Sequence, residues 1–115
     1  MIDADGGLLR GTLDVLVLKA LSWGPRHGYA VAEWIKAITE QEVLVEEGPL
    51  YTALHRLERK GWLTAEWGYS DNNRKAKYYE LSRSGKQALR NEMSSFQRYV
   101  RAMTKALAAA TPQIA

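Results

Sequence analysis

The 115-residue sequence predicts a mainly α-helical fold with a small β-hairpin and a long final helix. Three patterns support this prediction. Apolar residues recur at helical spacing in the first half of the chain, and two alternating segments flank a polar turn in the second half. The last part of the chain repeats apolar residues every three or four positions, which is typical of a helix that packs lengthwise against a partner.

Residues 8–23 form the first predicted helix, and their apolar side chains occupy nearly every face. Such a helix has to be covered on several sides, and in a small chain this implies a position between the rest of the head and another subunit. Residues 24–28 contain two glycines around Pro25 and predict a turn. Helical periodicity then resumes over residues 29–39.

The third predicted helix covers residues 49–60, with Gly48 as its cap and Pro49 at its first position. Leu50, Ala53, Leu54 and Leu57 form an apolar stripe. We expect the opposite face to be exposed. It carries Tyr51, Thr52, His55, Arg56 and Arg59.

Residues 63–69 and 77–81 predict the two strands of a hairpin. The turn between them is polar and carries Arg74 and Lys75. Tyr78 and Tyr79 point to opposite faces of their strand, so one of them is expected in the core.

The final predicted helix follows Ser82, a suitable N-cap, and runs to about Ala109. Its heptad seam consists of Leu89, Met93, Phe96, Val100, Met103 and Leu107. Too little chain remains to cover this seam within one subunit, so we expect the early residues to pack inward and the later ones to meet a second copy. The sequence thus divides into residues 1–82 and a dimerisation segment, residues 83–115.

Positive charge is concentrated in the second half of the chain. Residues 1–48 hold four Lys/Arg against eight Asp/Glu, whereas residues 49–90 hold nine against four. A cationic helix beside a cationic hairpin tip can follow neighbouring grooves of a DNA duplex, as in a winged helix-turn-helix. A solvated basic surface without a ligand is the plainer interpretation of the charge.

Other chemistry has little support in the sequence. There are no cysteines and two histidines without metal-ligand spacing, and no nucleophile or phosphate-binding motif occurs. We therefore expect no enzyme activity, metal or cofactor. The absence of cysteine, of a signal-like start and of a membrane-length apolar run favours the cytoplasm.

Four segments, taken in order, resemble the PadR family of bacterial transcriptional regulators. They are LLRGTLDVLVLKAL, HGYAVAEWI, GPLYTALHRLERKGWL and RKAKYYELSRSG. The resemblance covers about residues 8–103 and is closest to the compact branch with one C-terminal helix. It implies a winged-helix head, homodimerisation through the last helix, and operator binding that usually represses transcription. Several members of the family respond to small aromatic or drug-like effectors, and the resemblance extends the expectation of a small aromatic effector to this protein.

The predicted DNA-binding residues lie on the third helix and the hairpin. They are Tyr51, Thr52, His55, Arg56, Arg59, Arg74, Lys75 and Lys77. Phe96 and Tyr99 lie on the dimer helix, where a gap between subunits could accept a flat aromatic compound. The alternative from another class is a winged-helix module that binds only proteins, which would not need the cationic hairpin tip.

Overall fold

A computed structural model describes residues 2–3 and 10–114. It has four helices and two small sheets within these residues. The elements are β1 (Ile2–Asp3), α1 (Arg10–Ala20), β2 (Arg26–His27), α2 (Gly28–Ile38), β3 (Val43–Leu44), α3 (Glu47–Arg59), β4 (Leu63–Tyr69), β5 (Lys75–Leu81) and α4 (Arg83–Leu107). The mainly helical fold with one hairpin is confirmed. The predicted start of the first helix at residues 8–9 lies outside the described residues.

Helix α1 lies at the centre of the molecule and contacts α2, α3 and α4. Its side chains at Leu13, Val17, Leu18 and Ala20 are buried. The prediction that this helix is covered on several sides is therefore confirmed. On these sides α1 is covered by α2, α3 and α4 of the same chain.

Helix α3 begins two residues earlier than predicted. Glu46 is its N-cap, so Gly48 and Pro49 lie inside the first turn. Proline is tolerated there because the first N–H groups of a helix have no intrahelical acceptor. The apolar stripe is buried as expected, with Leu54 and Leu57 fully enclosed.

The main sheet has three strands in the order β2-β5-β4. Strands β4 and β5 form the predicted hairpin, and β5 begins at Lys75, two residues before the predicted start. The third strand was missed, since β2 is only two residues long and follows the turn at Gly24 and Pro25. Strand β5 turns Tyr79 into the core, where it is 2% exposed.

The second sheet is a short parallel pair of β1 and β3. Val43 of β3 packs against the core, so this pair closes the side of the head beside α2.

Helix α4 starts in the core and then leaves it. The Ser82 side chain accepts a hydrogen bond from the Gly85 N–H at 3.0 Å, which confirms the predicted cap. Ala88 and Leu89 are buried and Met93 packs at the edge of the core. From Val100 to Ile114 every side chain is exposed, so α4 extends beyond the head for its last two turns.

Gly85 is predicted to be essential for the packing of the first turn of α4 against the backbone of Trp62. A Cβ at this position would collide with the carbonyl oxygen of Trp62. The neighbour is backbone and cannot rotate away, so Gly85→Ala should lower the free energy of unfolding by about 1–3 kcal/mol or more. Thermal and denaturant unfolding measure the loss. Gly48→Ala is the matched control, because Gly48 also lies in a first helical turn but has open space around it. Equal stability of the two variants would contradict the prediction.

Candidate nucleic-acid interface

The outward side of α3 is a ridge of polar residues, which we call the α3 ridge: Thr52, His55 and Arg59. They are three and four positions apart, so they share one side of the helix. All three are exposed, while Leu50, Ala53, Leu54 and Leu57 anchor the opposite side in the core. The α3 ridge thus lies where the sequence placed the exposed face.

Arg56 lies elsewhere, and its predicted position on the outer face is corrected by the structure. Its guanidinium turns toward α1 and forms an ion pair with Asp14. Nη2 donates to Oδ1 of the carboxylate, and Nε lies 3.4 Å from Oδ2. The apolar stripe alone could not reveal this contact, because it depends on where α1 crosses α3.

The wing, formed by β4, β5 and their turn, packs against the other side of α3. Lys77 donates to Glu58 of α3 at 3.4 Å, and its Nζ lies 5.4 Å from the centre of the Tyr79 ring. Burial raises the pKa of Tyr79, and the nearby Lys77 opposes that shift. Lys77 therefore links the wing to α3.

The wing tip presents exposed cations. Arg74 and Lys75 are both exposed, and a tight turn holds them, with hydrogen bonds from Ser70 N to Arg74 O and from Asn73 N to Ser70 O, each 2.8 Å long. Asn73 has a φ of 58°, which asparagine tolerates well. Lys75 also lies over the Trp67 ring, with Nζ 5.1 Å from its centre.

Trp67 is a surface residue of the site that was not among the predicted DNA-binding residues. It is opposite Lys77 in the hairpin and shares a face with the Ala65–Tyr79 pair, which points toward the core. Further out along that face the core ends, and Trp67 is 61% exposed. Strand alternation indicates its face, whereas its exposure depends on where the core ends along the hairpin.

An open groove of about 940 Å³ is lined by residues of α3, the wing and the start of α2. Its lining combines aromatic and imidazole rings with the wing cations, and it includes Tyr29, Tyr51, His55, Trp67, Arg74 and Lys75. Tyr51 is 39% exposed and reaches across to Gly28. Five of the eight predicted DNA-binding residues (Tyr51, His55, Arg74, Lys75 and Lys77) line this groove.

The later part of the α4 seam is uncovered. Val100 and Met103 are 44% and 41% exposed, and Leu107 is 79% exposed. Closer to the head, Phe96 and Tyr99 border a hollow of about 360 Å³ between α4 and α1. Its other lining residues are Gly11, Thr12, Val15, Glu92 and Ser95.

Two other kinds of site receive no support from the described residues. None of their His, Asp and Glu side chains cluster in a way that could hold a metal ion. No helix among residues 10–114 is long and apolar enough to cross a membrane.

Several solved structures share this fold. A transcriptional regulator from Clostridium thermocellum superposes with a TM-score of 0.77 at 23% identity, covering 85% of this chain and 95% of its own. A PadR-like transcriptional regulator from Bacillus cereus gives 0.73 at 22% identity, with 89% and 97% covered. A PadR family transcription regulator from Clostridium difficile gives 0.69 at 27% identity, with 83% and 97% covered.

The sequence comparisons agree with the fold. An uncharacterized protein of Lysinibacillus sphaericus is 32% identical over 79 residues, which cover 69% of this chain and 72% of that protein. The family model described as "Transcriptional regulator PadR-like family" matches residues 17–91, which include α2, α3, the wing and the start of α4. The chain belongs to the PadR-like family of transcriptional regulators.

Proposed function

We propose that this protein is a homodimeric repressor that binds specific DNA operators with α3 and the wing. One observation carries the proposal: His55 of the α3 ridge and the wing-tip cations, Arg74 and Lys75, line the same open groove. A helix fits the major groove of B-DNA, and an adjacent cationic tip then lies against the neighbouring phosphates or minor groove. Repression would follow when the bound dimer covers a promoter.

Different residues take different parts of this contact. Thr52 and His55 lie in the middle of α3 and face base edges or phosphates in the major groove. Arg59 ends the helix, where a backbone phosphate is the natural partner. Tyr51 and the wing cations contact phosphates on the wing side. Lys77 contributes mainly by keeping the wing against Glu58.

DNA binding is tested with a duplex selected from a random library by the wild-type protein. Fluorescence anisotropy then compares that duplex with a scrambled duplex of equal composition, at two salt concentrations. Tighter binding to the selected duplex, weakened by salt, is expected. Failure to bind any duplex would favour the protein-binding alternative.

Dimerisation is proposed from the exposed seam on α4. Val100, Met103 and Leu107 continue the register of Leu89 and Met93, which are packed in the head. An apolar seam of this kind is covered when two such helices pack together. The proposed contact between two copies is therefore the exposed part of the seam together with Phe96, which precedes it.

The hollow between α1 and α4 is the proposed effector site. It lies at the edge of the exposed seam, and Phe96 and Tyr99 offer aromatic rings to a flat ligand. Occupation of the hollow would alter how α4 meets α1, and so the spacing of the two heads in a dimer.

The wing-tip cations should supply affinity that is independent of sequence. Changing Arg74 and Lys75 together to alanine should weaken binding to both duplexes and reduce the salt dependence by about one to two units of slope. The control is Arg101→Ala with Lys105→Ala, which removes equal charge from the far end of α4, off the seam. An unchanged slope in the wing variant would mean that the tip does not touch DNA.

Val100→Asp should convert the dimer into monomers. An aspartate buried in the seam has no partner, and its desolvation opposes association. Sedimentation velocity at micromolar concentration measures the change. Ala102→Asp introduces the same charge two residues away, off the seam, and should leave the dimer intact. A wild-type protein that sediments as a monomer would refute the dimer.

The effector site should bind an aromatic probe such as anilinonaphthalene sulfonate. Phe96→Ala removes one wall of the hollow and should weaken probe binding several-fold, measured by fluorescence titration. Leu107→Ala is the control, since Leu107 belongs to the same seam but lies away from the hollow. If both variants bind the probe with equal affinity, the probe does not bind in the hollow.

A further inference from the structure

The ion pair between Asp14 and Arg56 joins α1 to the side of α3 that lies away from the wing. Both side chains are largely enclosed, with 14% and 22% of their surfaces exposed. The guanidinium uses one edge, Nε and Nη2, toward the two carboxylate oxygens. Asp14 thus restrains both the position and the rotation of the Arg56 side chain.

This edge-on pairing does not use the end of the guanidinium. Arginine has five N–H donors in a rigid plane, and the carboxylate engages two of them. The remaining three are one on Nη2 and two on Nη1, and the outward N–H groups of these two nitrogens form the terminal fork. The O6 and N7 atoms of guanine accept two N–H bonds from such a fork. Arg56 can therefore keep Asp14 and read a guanine at the same time.

We infer that Asp14 is a positioning residue that makes Arg56 a reader of one guanine at the α1-side border of the α3 ridge. The inference rests on the proposed DNA binding and adds a determinant of its specificity. Arg56 follows Thr52 by four residues and precedes Arg59 by three, so it borders the α3 ridge. Because Asp14 already orients the guanidinium, the Arg56 side chain loses less rotational freedom when its fork binds a base.

The carboxylate also acts against binding to the wrong sequence. Asp14 balances the charge of Arg56, so the pair adds little to the general attraction for phosphates. On a duplex without the matching guanine, the fork gains no base contact and the nearby carboxylate repels the backbone. Asp14 therefore lowers non-specific affinity while it supports specific affinity.

The test is Asp14→Asn, which keeps the shape of the side chain and removes its charge. Binding is measured by anisotropy on the selected and scrambled duplexes used above. Binding to the selected duplex should weaken roughly fivefold or more, as for a disordered bidentate base contact. Binding to the scrambled duplex should tighten, with a salt slope steeper by about one unit, because the freed Arg56 can reach a phosphate. Glu80→Gln is the charge-matched control, because Glu80 is exposed on the hairpin face opposite Tyr79. This variant should bind both duplexes slightly and equally more tightly, with the ratio of the two affinities and the salt slope unchanged.

Arg56→Lys supplies an independent readout that does not require Asp14 to change. Lysine keeps the charge and the partner for Asp14 but has no planar fork. When each variant selects its own duplexes from the random library, Arg56→Lys and Asp14→Asn should lose preference at the same single base pair. A loss spread over the whole motif would indicate a merely structural role and would overturn the inference.

Other results also decide the matter. If Asp14→Asn tightens both duplexes equally, the carboxylate competes with DNA and does not position Arg56. If the specificity ratio stays at the wild-type value, Asp14 has no part in reading. If Asp14→Asn melts before it can be assayed, the base-pair preference of Arg56→Lys decides alone. A wild-type protein that binds no duplex overturns the proposed function together with this inference, whereas an unchanged ratio overturns the inference only.

Discussion

The burial of α1 is the constraint on which the rest of the molecule depends. Its apolar residues point in several directions, and each has to be covered by a different element. Leu13, Val17, Leu18 and Ala20 are enclosed, and α2, α3 and α4 pack around them. The direction of α3 and the start of α4 are thus both set by one short helix, which couples the proposed DNA-binding face to the proposed dimer helix.

The same packing gives each side of α3 a different environment. The stripe ending at Leu57 is in the core, the α3 ridge is open to solvent, Glu58 holds the wing, and Arg56 turns to Asp14. Charged residues on one helix therefore have unequal freedom. His55 and Arg59 can move to meet a ligand, whereas Arg56 and Glu58 are held by neighbours.

Local patterns identified most of the elements. Helical spacing located α2 and α3, strand alternation gave β4 its observed bounds, and Ser82 marked the start of α4. The two-residue strand β2 was missed, since it carries too few positions for any period and exists through its pairing with β5. The Glu46 cap was missed because Gly48 and Pro49 also satisfy the rules for a helix start.

The sequence by itself determined which face of α3 is apolar, where the cations collect and that the last helix carries a seam, because each of these is a property of spacing along the chain. Only the tertiary structure decided which cations are free. Arg56 and Asp14 are 42 positions apart and Lys77 and Glu58 are 19 apart, so no local pattern relates them. Their pairing follows from how α1 and the wing cross α3, and that geometry is set by the packing of the whole core.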